Sequence, residues 1–378
     1  MSSYLITEVQ SKRELQQFIK YPSRLYSGDN RWMPPIYLDE FDYFNPRKNP
    51  QIQKNPIVLF LCKTANGDIC GRIMGILPKE YNTLHNTKDL RFTLLEYDEE
   101  IAIAEILIEA VLEWAKDHKL DTLVGPLGFS DKDPQGYMIE GFEHTPVIAT
   151  HVNSPKRIED LKSLGFEKKL DLFVFRINIP ENNPALHDKI AERSIRNNPG
   201  IELLKLKHYW QLKQWIVPVF ELVNKSFEDI YAFTPLTKKE MHALSWKYLP
   251  LLKPRFIKIL INKENQVIAF VLAMPNITEG LRKSKGYMLP FGIFQLWRAQ
   301  RKTKQLDMML GAVHPDYQNK GLDAQLAIAL FDEARKGDFA FVDSHLELET
   351  NVKMHAENIK LGGYKYKTYR IFKRAISS

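Results

Sequence analysis

The sequence predicts an α/β (α+β) protein made of two tandem copies of one unit, each a mixed, mostly antiparallel sheet flanked by helices. The first observation is a repeat: residues 57–77 and 255–274 are both pairs of apolar segments about a polar turn, ended by Pro78 and Pro275. The second is that residues 161–177 and 358–374 also match, with Gly165 and Gly362 at that same separation. Between these anchors each copy reads as strand, helix, strand: 91–97, 99–117 and 121–125 in the first, 306–313, 323–336 and 341–350 in the second. A third observation separates the copies. Only the second has a glycine loop, without a run of carboxylates, where its strand enters the helix.

Taken in order, the N-terminal stretch 21–50 is rich in proline, aromatic and charged residues without a clear period. It reads as an ordered, mostly irregular wrap over the first copy. Asn66-Gly67 then suits a tight hairpin turn, and Cys62 and Cys70, the only cysteines, flank it as neighbouring reduced thiols. The start of a linker at Pro180 divides the chain into domains 1–180 and 181–378. At 378 residues, 44% apolar and 26% charged, both halves are large enough for a core of their own. No apolar run approaches the roughly 18 residues of a membrane span, and the N-terminus lacks the features of a signal peptide, so a cytoplasmic protein is expected.

The run LDMMLGAVHPDYQNKGLDAQL, from Leu306 to Leu326, reads as a buried strand, a polar loop and a helix start. The first N–H groups of a helix have no intrahelical partners and carry the positive end of its dipole, so a pyrophosphate can settle there. Strand, V-x-P-x-Y-Q-x-K-G and helix resemble the acyl-CoA-binding motif of the GCN5-related N-acetyltransferases, whose Q/R-x-x-G-x-G/A falls on Gln318, Asn319, Lys320, Gly321, Leu322 and Asp323. The order of elements resembles that fold in both copies, over roughly residues 50–178 and 200–374. Asp29, Arg31, Trp32 and Pro34-Pro35 resemble the opening of a group of bacterial acetyltransferase-like proteins.

The resemblance implies acetyl-CoA or another acyl-CoA as co-substrate, held by Gln318 to Asp323 with Ala324 and Asn351. It also implies backbone N–H groups around Ala312 and Val313 that stabilise the thioester oxyanion. Asp323 departs from the family's small residue: turned inward it would repel a pyrophosphate, turned outward it would stabilise the helix end. The strand at 341–350 corresponds to the one that splays from the cofactor strand. It places Asp343, His345, Glu347 and Glu349 on one face, and Glu349, nearest its end, is the candidate proton acceptor for an attacking amine. A solvent-facing polar stripe accounts for the same pattern. The family's thiolate-protonating tyrosine falls on Asn358, which cannot act as an acid.

In the first copy the equivalent helix start carries Asp98, Glu99 and Glu100, which satisfy the dipole themselves and would repel a phosphate. That copy is expected to shape the acceptor site. Its loop after residue 125 concentrates acidic residues, and Asp131, Asp133 and Glu140 are candidates for holding a cationic amine; a long solvated loop is the alternative. No metal is expected, since the Asp131-x-Asp133 pair shows no further ligands.

All of the net charge of +7 sits between Arg282 and Lys304, which holds seven basic and no acidic residues. The same segment contains Tyr287, Leu289, Phe291, Ile293, Phe294, Leu296 and Trp297. One reading is a solvated helix whose aromatic stripe faces the core. The other is a docking surface for an acidic partner such as an acyl carrier protein, a nucleotide cofactor or an anionic membrane. Nucleic acid has no supporting motif beyond charge and aromatics. The expected function is direct acyl transfer from acyl-CoA to an unspecified amine, since no nucleophile with a base and orienter is legible. The alternatives are a non-catalytic binding module of the same fold and an acyltransferase that takes its donor from a carrier protein.

Overall fold

The computed structural model describes residues 4–376. The chain forms two compact units that interleave along the sequence. Unit 1 runs to Phe173 and adds Leu281–Gln295 and the segment from Lys367 onward; unit 2 holds Val174–Gly280 and Leu296–Tyr366.

Unit 1 contains, in order, β1 (Leu5–Glu8), α1 (Lys12–Leu25), α2 (Tyr37–Tyr43), α3 (Gln51–Lys54), β2 (Ile57–Lys63), β3 (Ile69–Ile76), α4 (Lys79–His85), β4 (Asp89–Tyr97), α5 (Ile101–Ala115), β5 (Thr122–Gly125), β6 (Tyr137–Glu140), α6 (Pro155–Ser163) and the start of β7 (Glu167–Asn178). β1 to β4 are antiparallel neighbours, β4 and β5 are parallel, and residues 372–375 of the chain's last strand pair antiparallel with β5. Ser11 starts α1 through a reciprocal capping box with Glu14. α5 is apolar on the face that meets the sheet, burying Ile103, Leu107, Ile108 and Val111 with Leu90, Phe92 and Phe372. The 21–50 stretch is mostly irregular, as expected, and α2 is its one helix beyond the end of α1. Cys62 and Cys70 are free and buried across the hairpin, their Sγ atoms 3.4 Å apart.

Unit 2 takes the rest of β7 and then α7 (Ala185–Asn197), β8 (Glu202–Leu203), α8 (Tyr209–Lys213), α9 (Ile216–Ser226), α10 (Lys238–Tyr248), β9 (Ile257–Ile261), β10 (Val267–Pro275), α11 (Thr278–Ser284), α12 (Gly292–Lys302), β11 (Gln305–Val313), α13 (Leu322–Lys336), β12 (Phe341–Ser344), β13 (Glu347–Leu348), α14 (Val352–Lys360) and the first residues of β14 (Tyr364–Ala375). Unit 2 leaves residues 281–295, which hold most of α11, the loop after it and the start of α12, to unit 1. Its sheet order is β7-β12-β11-β10-β9-β8, with β11 and β12 the parallel pair. Leu322, Leu326, Leu330 and Phe331 of α13 pack on Leu260, Ile268, Leu306 and Val342, which closes the core. Each unit is therefore a mixed, mostly antiparallel sheet flanked by helices.

One expected element is shorter than its pattern suggests. The strand read over 341–350 stops at Ser344 and resumes only for Glu347–Leu348, which pairs with β7. Val342, Asp343 and Ser344 are buried in succession, so the alternation of solvent-facing acids is not kept.

Candidate active site

The parting of β11 and β12 defines the site. β12 pairs with β11 from Gln305 to Met308, and the amide of His345 donates to the Met308 carbonyl at 3.1 Å. β11 continues alongside β10 to Val313 while β12 ends. A register slip between Leu272 and Ala273 leaves Met309 without a ladder partner at the point of divergence. Ala312 and Val313, the expected oxyanion residues, lie beyond the parting and face Phe270 and Ala269 of β10.

The loop after β11 ends in a left-handed turn. Asn319 has φ 60° and Gly321, the N-cap of α13, has φ 73°. Gln318, Asn319 and Lys320 are exposed, and Lys320 stacks its ammonium 4.4 Å from the Tyr317 ring centre. Leu322 and Ala324 point into the core, so only their backbone N–H groups face the loop side. A Cβ on Gly321 would meet Ile190 Cγ2 at 2.8 Å. The glycine thus answers to α7 as well as to its positive φ. The Ser194 hydroxyl of α7 donates to the Lys320 carbonyl and accepts from Gln325, which fixes the loop. Asp323 is exposed; on α14 the Lys360 ammonium's pKa is raised chiefly by its hydrogen bond to Glu357 and that carboxylate's charge, with the Asp323 charge a smaller contribution. Asn351 caps α14, accepting from the Met354 amide at 3.3 Å.

An exposed loop, a helix start without a side-chain cap and a lysine at its edge suit a pyrophosphate. The loop also carries one carboxylate, Asp316, whose Oδ2 lies 3.7 Å from His314 Nδ1.

Glu347 is the side chain that the sequence reading passed over. It follows the break in β12, and its side chain is 10% exposed. The Asn358 amide, wholly buried on α14, donates to both of its carboxylate oxygens at 2.9 Å. Burial pushes the Glu347 carboxyl up to about 7, against smaller opposing effects of Asn358 and Ser344. His355 Nε2 lies 3.8 Å away, on a ring set 5.2 Å from Phe175, and burial, which disfavours its charged form, lowers the imidazole's pKa. The signals available in the sequence were its place in the acidic alternation and the asparagine at the tyrosine position. Glu349 falls in the half-buried turn that follows, two residues on. Asp343 is buried and held by Arg176 at 2.7 and 2.8 Å with the Tyr366 hydroxyl against it, a structural pairing.

The acidic loop of unit 1 is engaged internally. Asp133 accepts from the amides of Phe129 at 2.6 Å and Ser130 at 3.3 Å, and burial raises its carboxyl to about 6. Asp131 pairs with Lys132 at 2.8 Å, and Glu140 accepts from the Thr368 hydroxyl. At the start of α5, Asp98 accepts from Tyr21 and Glu100 from Tyr4, so carboxylates occupy the position that the Gln318–Gly321 loop holds in unit 2.

No protein-family model matches the chain. It is 26% identical over 383 residues to a protein of Caulobacter vibrioides named bacterial ceramide synthase, covering 98% of this chain and 97% of that one. It is 25% identical over 393 residues to Protein YghO of Escherichia coli, covering 100% of this chain and 97% of the relative. Among solved structures, a tandem GNAT protein from the clavulanic acid biosynthesis pathway superposes with a TM-score of 0.57 at 12% identity, covering 100% of this chain and 99% of the other. A GCN5-related N-acetyltransferase from Sphaerobacter thermophilus gives 0.51 at 10% identity, covering 99% and 96%. The protein has the tandem fold of the GCN5-related N-acetyltransferases.

Proposed function

We propose that the protein is an N-acyltransferase that moves an acyl group from acyl-CoA to an amine by direct attack, with unit 2 holding the donor. The observation that carries this reading is the Glu347 carboxyl, fixed by Asn358 just past the point where β12 leaves β11. Acyl-CoA supplies the acyl group as its thioester. The backbone of Gln318 to Leu322 and the Lys320 ammonium would hold the pyrophosphate, and the open half of β11 around Ala312 and Val313 would line the acyl end. Glu347, ionised, takes a proton from the attacking ammonium; a carboxyl poised near neutrality is suited to that work. Glu349 stays a second candidate on the same turn. No covalent enzyme intermediate is required: once Glu347 has taken the first proton the free amine attacks, the N–C bond forms as the C–S bond breaks, and the second proton the nitrogen sheds goes to the departing thiolate.

The name of the Caulobacter relative points to the acceptor class. A ceramide is the amide of a long-chain amino alcohol, so a long-chain amino alcohol is the acceptor we propose, with a long-chain acyl-CoA as donor.

The test is thiol release from acetyl-CoA and longer acyl-CoAs with short and long-chain amines, alongside calorimetric binding of each acyl-CoA. Wild type should bind and turn over, while Glu347→Gln should bind with unchanged affinity and lose about 10²–10⁴ in kcat. No binding of any acyl-CoA would refute the reading. Undiminished turnover in Glu347→Gln would remove Glu347 from it.

A further inference from the structure

The α11–α12 segment presents its aromatic side outward. α12 buries Leu296, Ala299 and Gln300, with Gln300 Nε2 donating to the Leu251 carbonyl at 2.7 Å. The opposite face carries Phe294, Trp297, Arg298 and Arg301, at the i, i+3, i+4 and i+7 spacing of a single helix stripe. Phe294 is 58% and Trp297 43% exposed, and in the preceding loop Leu289 is 81% and Phe291 71% exposed. Lys283, Lys285, Arg298, Arg301 and Lys302 are exposed along the same stretch. The core-facing stripe that the sequence allowed is thus reversed.

This loop is held in place on its inner side. Tyr37 donates its amide to the Gly286 carbonyl at 3.1 Å and sets its ring 5.0 Å from that of Tyr287. Gly286 has φ 77°, and a Cβ there would stand 2.2 Å from the Pro35 carbonyl oxygen. Arg282 donates to the Trp32 carbonyl and the Thr145 hydroxyl, both at 3.2 Å. The apolar tip is therefore presented by a fixed base.

We propose that the α11–α12 segment is a membrane-docking surface that seats the protein on anionic lipid. The charge fixes the sign of the partner, since residues 282–304 are basic without a single acid. Protruding leucine and phenylalanine fix its kind. An acidic carrier protein would answer the lysines and arginines but leave side chains as exposed as Leu289 and Phe291 without a role. A bilayer surface takes both, with the basic groups among headgroup phosphates and the apolar tip at the acyl boundary. No helix among the described residues is long and apolar enough to cross a membrane, and surface docking does not need one. The proposal stands on this segment alone and does not depend on the acyl-transfer reading.

Sedimentation of the full chain with vesicles tests it, using phosphatidylcholine alone against phosphatidylcholine mixed with phosphatidylglycerol, at low and high salt. Wild type should bind the anionic vesicles at least about tenfold more tightly than the neutral ones, with the difference shrinking as salt rises. Leu289→Ser/Phe291→Ser/Phe294→Ser and Lys283→Glu/Lys285→Glu/Arg298→Glu should each weaken binding by about tenfold or more without changing the melting temperature, since all six side chains are exposed. Equal binding to both vesicle types, or a serine variant that binds as wild type does, would overturn the proposal. So would capture of an acidic carrier protein or of nucleic acid through this segment without vesicle binding.

Discussion

Burial holds the Glu347 carboxyl protonated to about pH 7, so folding and chemistry depend on this one side chain in opposite directions. Its unfolded value is the ordinary 4.5, and the raised folded value means that the folded chain is favoured most below pH 4.5. That advantage is lost as pH rises through 7, an effect of about 3 kcal/mol by linkage. Glu347→Gln lacks the titration. Its stability relative to wild type, measured by urea unfolding, should rise between pH 4.5 and 8, and an unchanged difference would refute the assignment. Turnover runs the other way, because only the ionised form accepts a proton: kcat/KM should climb through pH 7 in wild type. Asp323 is exposed near Lys360 and belongs to the helix end. Asp323→Asn should cost about 0.3–1 kcal/mol of helix-dipole stabilisation and leave acyl-CoA affinity equal or higher. Weaker binding in calorimetry would mean that the carboxylate takes part in the site.

At the scale of elements, the hairpins, the strand–helix pairs and both copies were legible because each rests on local periodicity and turn chemistry. β11 and α13 fall within one residue of the expected 306–313 and 323–336. The strand at 341–350 was misjudged in length because alternation says only that side chains take opposite sides, whereas the break at Ser344 depends on long-range partners. Arg176 of β7 neutralises Asp343, and the Ser344 hydroxyl accepts from the Phe175 amide. Neither partner is near in sequence. The same limit applies to Glu347, which alternation along the strand does not set apart from Glu349. Its carboxyl is selected by Asn358 of α14, an arrangement that exists only once β12 has ended and α14 has folded against it. Gly321 was noticed for its suitability beside a ligand, while Ile190 and Ser194 of α7 give it a packing reason that spacing cannot reveal.

The interleaving of the two units bears on how the whole molecule folds. Unit 1 includes the segment from Lys367 onward, and within it Tyr369, Ile371 and Phe372 are at most 1% exposed. Phe372 belongs to the core cluster of Phe92, Leu107 and Leu123, and residues 372–375 supply the antiparallel partner of β5. A chain ending at residue 180 therefore lacks a core phenylalanine and leaves β5 as an unpaired edge, a combination that favours loose packing and self-association. Losing the Phe372 side chain alone would cost about 3–5 kcal/mol, a large part of the stability of a domain this size. Expressed alone, residues 1–180 should show a broad, non-cooperative melt, and adding a peptide of residues 364–378 in trans should sharpen it and raise its midpoint. A cooperative melt of 1–180 without the peptide would instead establish the division at residue 180 as a folding boundary.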